Sequence, residues 1–289
     1  MSFKIVTDSC ANLTDELIEK YDIAILSLAF YVNGEEYYSY TKGEKTDLKR
    51  FYTMMRNKEA ITTSLISRRV CLDIFEDILN NDQDLLYIGF SSGLSGSYHV
   101  GAAVLEELRE KYPKRKIYHV DSLAASLGQG LLAYYAAVQK EADKSIEEVY
   151  NWQLENRLRL CHWFTVEDLF FLKRGGRLSA TAAVLGTMLS IKPIIHVDNG
   201  GRLIPVSKVR GRKKSLDALV DRMDATAINA SEQYIFISHG DCAEDAEYVA
   251  AQARERMNVK DVLINYVDPV IGAHSGPGTV ALFFIGNER

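Results

Sequence analysis

The sequence predicts an α/β protein with a parallel sheet in its first half and a mixed α/β arrangement in its second. Short β-rich runs alternate with longer helical ones from Lys4–Thr7 to Val280–Ile285, which is the order that builds parallel sheets. Leu85–Phe90 is apolar along its length, as expected of a strand covered on both faces. In the second half Asn199-Gly200-Gly201 separates two β-rich runs. That is a hairpin signal, so antiparallel pairing enters there.

Taken in order, Lys4–Thr7 is the first strand, ended by Asp8-Ser9. A helix capped by Thr14 follows, with Leu17, Ile18 and Tyr21 on its apolar face. Ile23–Tyr31 reads as one strand, and Asn33-Gly34 turns it into another at Glu36–Tyr40. Asp47–Arg56 is helical. Thr62–Ser67 precedes a helix containing Val70, Leu72, Ile74 and Phe75, with Ser67 as its expected cap. After Leu85–Phe90 come an amphipathic helix at Ser97–Lys111, a strand at Ile117–Val120 and a long helix at Leu123–Ala142. Ser145–Leu158 is a helix of mixed charge that connects the halves. The second half reads as a strand at His162–Val166, a helix to about Lys173 and a small-residue helix at Ala180–Leu189. The paired runs Ile194–Val197 and Leu203–Val209 follow. Helices at Ser215–Met223 and Ala243–Met257 flank a strand at Tyr234–Ser238, and Val280–Ile285 is the last strand.

The bulk properties narrow the function. A chain of 289 residues with 47% hydrophobic and 25% charged residues can bury a core and still enclose a cavity. A net charge of -5 disfavours general polyanion binding, and nucleic acid is not expected. The opening MSFKIVTDSC does not read as a signal peptide, and the longest apolar windows fall short of the ~20 residues of a membrane span. Cys10, Cys71, Cys161 and Cys242 lie far apart with no CxxC pair, so neither structural zinc nor a disulfide framework is implied. The expected location is the cytoplasm, with reduced and mostly buried thiols.

Ligands of parallel sheets sit beyond the carboxyl ends of the strands. The loops in question are those after residues 7, 61, 90 and 120, and they carry Ser or Thr. Ser91-Ser-Gly-Leu-Ser-Gly-Ser97 lies between a strand and a helix, where main-chain N–H groups and hydroxyls suit a carboxylate or phosphate. Helix capping is the plainer explanation. A nucleophile elbow at Ser95 is the sharper rival, but G-x-S-x-G fails at its fifth position, Ser97. Gly128-Gln-Gly130-Leu-Leu-Ala133 fits G-x-G-x-x-A, yet its glycines fall inside the expected helix, so close packing is the better reading. Leu172–Leu178 holds three cations around Gly175-Gly176, and Lys208–Lys214 holds five in seven positions. Each is either a solvated face or a docking face for a partner or phosphate. Asp268–Gly278 reads as a Gly-rich loop that presents His274 towards a ligand.

Together these segments resemble the DegV family. The resemblance rests on Ile5–Ser9, Thr63–Ser67, Ser91–Ser97, Leu172–Ser179, Lys192-Pro-Ile, Lys208–Lys214 and Gly272–Gly278, in that order and spacing, and it spans essentially the whole chain. The family often has Gln-Pro where this chain has Leu65-Ile66. The resemblance implies a two-lobed DegV-type α/β fold. Residues 1–160 would form the parallel-sheet lobe with the carboxylate-binding loops, and 161–289 a mixed lobe closing over an acyl chain. It also implies a non-enzymatic carrier of a long-chain fatty acid such as palmitate, which presents the carboxylate to a separate fatty acid kinase subunit. Thr63, Ser95 and His274 would hold the carboxylate, and Arg174, Arg177 and Arg210 would form the docking face. No catalytic residue, metal or cofactor is expected, while transient contact with a membrane surface is. An acyl hydrolase using Ser95 and a lipid-sensing regulatory module remain the alternatives.

Overall fold

The computed structural model describes residues 3–178 and 190–289, and its strands form three sheets. The first contains β1 (Phe3–Asp8), β2 (Ala24–Leu26), β6 (Asp84–Gly89) and β7 (Ile117–Asp121), in the order β2-β1-β6-β7 and parallel throughout. Both faces of β6 are covered, which explains its unbroken apolar character. The second sheet, β4-β3-β5, is antiparallel and small: β3 (Ala29–Val32), β4 (Glu35–Tyr38) and β5 (Ile61–Thr63). The third is mixed. It joins β8 (Leu160–Thr165), β9 (Ile191–Val197), β10 (Leu203–Arg210), β11 (Tyr234–His239), β12 (Asp261–Tyr266) and β13 (Val280–Ile285) in the order β10-β9-β8-β13-β11-β12. The hairpin expected at Asn199-Gly200-Gly201 joins β9 to β10.

The helices follow the apolar periodicity. They are α1 (Asp15–Lys20), α2 (Leu48–Arg56), α3 (Arg68–Asn80), α4 (Ser97–Lys111), α5 (Leu127–Glu141) and α6 (Ile146–Asn156). A short α7 (Phe170–Arg174) follows, then α8 (Arg212–Thr226), α9 (Ala243–Met257) and α10 (Pro269–Ser275). Helix α1 starts where Thr14 accepts from the Leu17 amide, and α6 starts with a capping box between Ser145 and Glu148. Helix α5 touches β1 and β6 on one side and β8, β11 and β13 on the other. A helix between two sheets must be apolar almost all round. Leu127, Leu131, Leu132, Ala133, Ala136 and Ala137 are accordingly buried. The glycines of the G-x-G-x-x-A match serve this packing. A Cβ at Gly128 would sit 2.8 Å from the Phe283 ring, and one at Gly130 would sit 2.4 Å from the Ala11 carbonyl oxygen.

Six expectations are corrected. Ile23–Tyr31 is not one strand: the chain leaves the parallel sheet at Ser27-Leu28, where the Leu28 amide donates to Ser9 Oγ, and re-enters the small sheet as β3. Thr62 and Thr63 therefore belong to β5 in that small sheet, not to a loop at the edge of the parallel one. Helix α5 begins at Leu127 because Leu123 and Ser126 adopt positive φ, at 50° and 56°. Helix α7 begins only at Phe170, whose amide donates to Asp168. His274 lies in the last turn of α10, not on a loop, since Asp268 caps the Val270 and Ile271 amides and Pro269 supplies the first turn. Ser67 stands at the start of α3 but makes no side-chain capping bond. The helix expected at Ala180–Leu189 lies outside the described residues, as does Ser179.

Because Gly130 faces backbone and not a movable side chain, Gly130→Ala should force α5 away from Ala11. The expected loss is about 1–3 kcal/mol, read as a lower midpoint in chemical denaturation. An unchanged midpoint would refute the tight approach.

Candidate functional site

The loop after β6 is held from both flanking strands. From β1, Asp8 accepts from the Phe90 and Cys10 amides, each at 3.0 Å. From the end of β7, Asp121 accepts from the Ser92 and Leu123 amides at 3.1 Å. Asp8 is fully buried, and burial pushes its carboxyl up to about 6 while the Phe90 amide and its other hydrogen bonds act against that rise. Ser91 donates to the Gly201 carbonyl at 2.8 Å, which docks the β9–β10 turn onto the loop. A Cβ at Gly93 would come 2.4 Å from the Gly200 carbonyl oxygen, so glycine is required for that approach.

Ser97 ties this loop to the segment that follows β5. Its Oγ accepts from the Ile66 amide at 3.1 Å and lies 3.0 Å from Ser95 Oγ, which accepts from the Ser97 amide at 3.2 Å. Thr63 Oγ1 lies 2.9 Å from His274 Nε2. The structure thus brings Thr63, Ser95 and His274 to one cleft, although the three come from a small-sheet strand, a parallel-sheet loop and a C-terminal helix. Arg177 also lines the cleft. It donates to the Leu94 carbonyl at 3.2 Å and to the Gly175 carbonyl, and burial lowers its tendency to hold a proton. Behind these groups the wall is mainly apolar, with Leu28, Phe90, Phe164, Leu172, Val270 and Ala281. About 190 Å³ is open to the centre of a water molecule, room for on the order of a dozen waters or a slender chain.

The expected docking residues divide. Arg177 is half-buried in the cleft wall, whereas Arg174 is exposed beside it. Arg174 lies over the rings of Phe170 and Phe171, 5.7 and 5.3 Å from their centroids, and donates to the Ala273 carbonyl at 3.4 Å. Arg210 is exposed at the end of β10, paired with Ile191, and is not in the cleft wall. Wall residues not foreseen in the sequence include Ser126, His162, Phe164, Ser238 and Ala281. The last four stand at alternate positions of neighbouring strands on one sheet face. Their mixture of small and polar types inside apolar strands is the signal that could have marked them.

His274 is strongly perturbed. Burial, then the charges of Arg177 and Arg174, lower its pKa from 6.5 to about 4. Its Nδ1 is buried and has no hydrogen-bond partner among the described residues. Gly175 allows this placement, since a Cβ there would lie 2.3 Å from Nδ1. Ser95 bonds to Ser97, and His274 bonds to Thr63, so the structure does not pair Ser95 with that histidine as a nucleophile elbow requires. Among the described residues no group of three or more His, Cys, Asp or Glu side chains could hold a metal ion. No helix among them is long and apolar enough to cross a membrane. All four cysteines are unbridged, three of them buried.

The family described as "Uncharacterised protein, DegV family" matches residues 2–287. The chain belongs to the DegV family. A DegV domain-containing protein of Clostridium perfringens is 45% identical over 287 residues, covering 99% of this chain and 98% of the relative. One from Lactococcus lactis is 34% identical over 288 residues, covering 100% and 99%. Among solved DegV structures, a lipid-binding protein of Thermotoga maritima superposes with a TM-score of 0.88 at 28% identity, covering 100% of both chains. A fatty-acid-binding DegV protein of Thermus thermophilus gives 0.87 at 26%, covering 99% and 100%. DegV of Bacillus subtilis, a fatty acid binding protein, gives 0.83 at 28% over the same shares. The two-part α/β architecture read from the sequence is therefore that of the DegV fold.

The imidazole of His274 should stay neutral until the pH falls to about 4. In the ligand-free protein, its NMR-detected ring signals should not titrate near 6.5. The sign follows from linkage: an unfolded chain takes up this proton first, so this group lowers stability as pH falls from 6.5 towards 4. A midpoint near 6.5 would contradict the buried site.

Proposed function

We propose that this DegV-family protein holds a long-chain fatty acid in the cleft and offers its carboxylate at Thr63, Ser95 and His274. The observation that carries this reading is the convergence of two hydroxyls, an imidazole and Arg177 at one end of an otherwise mainly apolar cleft. The lipid- and fatty-acid-binding descriptions of the structural neighbours support it. The hydrogen-bond arithmetic fits a carboxylate. With the His274 proton on Nε2, Thr63 Oγ1 accepts from the ring and keeps its own hydrogen for a ligand. Ser95 Oγ accepts from the Ser97 amide, which leaves its hydrogen able to point outward in the same way.

The affinity would come from the chain. Burying one CH₂ is worth about 0.8 kcal/mol, so a saturated sixteen-carbon acid gains roughly 11 kcal/mol before association costs. The head group then needs orientation more than strong pairing, and its oxygens stay nucleophilic. In this reading a separate fatty acid kinase binds the exposed cations Arg174 and Arg210 near the half-buried Arg177. A carboxylate oxygen attacks the terminal phosphoryl group of a nucleoside triphosphate held by the kinase. The nucleoside diphosphate leaves, and the acyl phosphate enters phospholipid synthesis. Residues 1–160 would supply Thr63 and Ser95, and residues 161–289 would close over the chain and supply the cations. The carrier itself performs no chemistry, works in the cytoplasm and meets membrane surfaces transiently; Leu65, 52% exposed at the cleft, suits such contact.

Native mass spectrometry of the purified protein, followed by extraction, should reveal a stoichiometric long-chain fatty acid. Thr63→Ala and Ser95→Ala should each weaken its retention about tenfold or more, the worth of one hydrogen bond to a charged group. Unchanged retention in both would sink the assignment. Arg174→Ala should keep the fatty acid and slow its phosphorylation by the kinase, and parallel loss of both would argue against a docking role.

A further inference from the structure

The cleft contains a polar group that the carboxylate site does not use. His162 lines the wall, is 4% exposed, and its ring makes no hydrogen bond among the described residues, Nδ1 being sealed off altogether. Its surroundings are apolar: the ring centroid lies 4.5 Å from that of Phe283 and 5.6 Å from that of Phe164. Burial holds the imidazole well below its usual range, with Arg289 and His196 acting in the same direction, so it is neutral and has one N–H and one lone pair. A phenylalanine would fill this place without leaving a desolvated nitrogen. Nε2 is not sealed and has no partner among the described residues, so the ring of a histidine in the cleft wall calls for a group that the ligand brings.

Register locates that group along the chain. On this sheet face Phe164 stands beside Ala281, and Ala281 beside Ser238. His162 stands beside Phe283 in the next row, about 7 Å further along the strand. The opposite end of β8 pairs Thr165 with Val280, and the neighbouring Thr279 donates to the carbonyl of Ser275, which adjoins His274. His162 is thus on the far side of Phe164 from the carboxylate groups. Resting on the fatty-acid reading above, we propose that the cleft favours acyl chains bearing a hydroxyl part-way along their length, with His162 as the hydroxyl's hydrogen-bond partner. A hydroxyl suits either tautomer, because it both donates and accepts. Ser126 and Ser238 are weaker candidates, since they already bond to each other at 2.8 Å and Ser126 bonds to Asn12 at 2.6 Å.

The test is competition between stearate and a series of monohydroxystearates in which the hydroxyl is walked along the chain, read by displacement of a fluorescent fatty acid. For the wild-type protein one positional isomer should outcompete stearate about fivefold, the others falling away on either side. In His162→Phe the hydroxystearates, each read as a ratio to stearate with the same variant, should show no such optimum. Stearate binding with no positional optimum in the wild type overturns the inference and leaves the fatty-acid reading standing. An optimum retained in His162→Phe, or lost in Ser238→Ala alone, overturns it as well. A wild-type protein that takes neither stearate nor any hydroxy acid removes the fatty-acid reading and this inference together.

Discussion

Two carboxylates pin the loop after β6, and the geometry of the cleft depends on them. Asp8 takes the Phe90 amide and Asp121 takes the Ser92 amide, so the main chain between them is fixed by the strands on either side. These residues end β1 and β7, which is why both strands close on Asp-Ser. The fixed loop then fixes what touches it. Ser91 anchors the β9–β10 turn, Ser97 anchors Ile66, and the Leu94 carbonyl receives Arg177. The cost is one carboxyl so deeply buried that it resists ionisation, tolerated because two amides donate to it.

The same balance of burial against hydrogen bonding governs the end of the cleft where Thr63, Ser95 and His274 meet. A cleft walled mainly by apolar side chains offers charges little solvation, which penalises the charged form. His274 responds by staying neutral, which leaves Arg177 as the cationic group of the wall. Neutral hydroxyls complete the set, each already oriented by a protein partner. Such an arrangement can orient a carboxylate without neutralising its oxygens in a tight ion pair.

Much of this was legible along the chain. Alternation of strands and helices, the apolar run of β6, the Thr14 cap and the Asn199-Gly200-Gly201 turn all act over a few residues, and each appears where expected. Helix α10 was legible too: Asp268-Pro269 is a helix-start signal, obscured by the glycines around it. The break at Ser27-Leu28 was not. Its cause is the hydroxyl of Ser9, on a different segment, and no local pattern announces such a partner. The late start of α5 was hidden similarly, since Leu123 carries no sign of the positive φ imposed on it.

The sequence by itself determined the fold class, the family and the residue types able to hold a carboxylate. Those follow from periodicity, turn chemistry and the order of short motifs, all of which are local. Only the tertiary structure decided that Thr63 meets His274 across 211 positions of sequence, and that Ser95 is joined to Thr63's strand through Ser97 and Ile66. It also moved Arg177 from an expected outer face into the cleft wall and placed His162 among aromatic rings. Such placements depend on how sheets pack and on which side chains lose water when they do. Burial, unlike periodicity, belongs to the assembled molecule and not to any stretch of its chain.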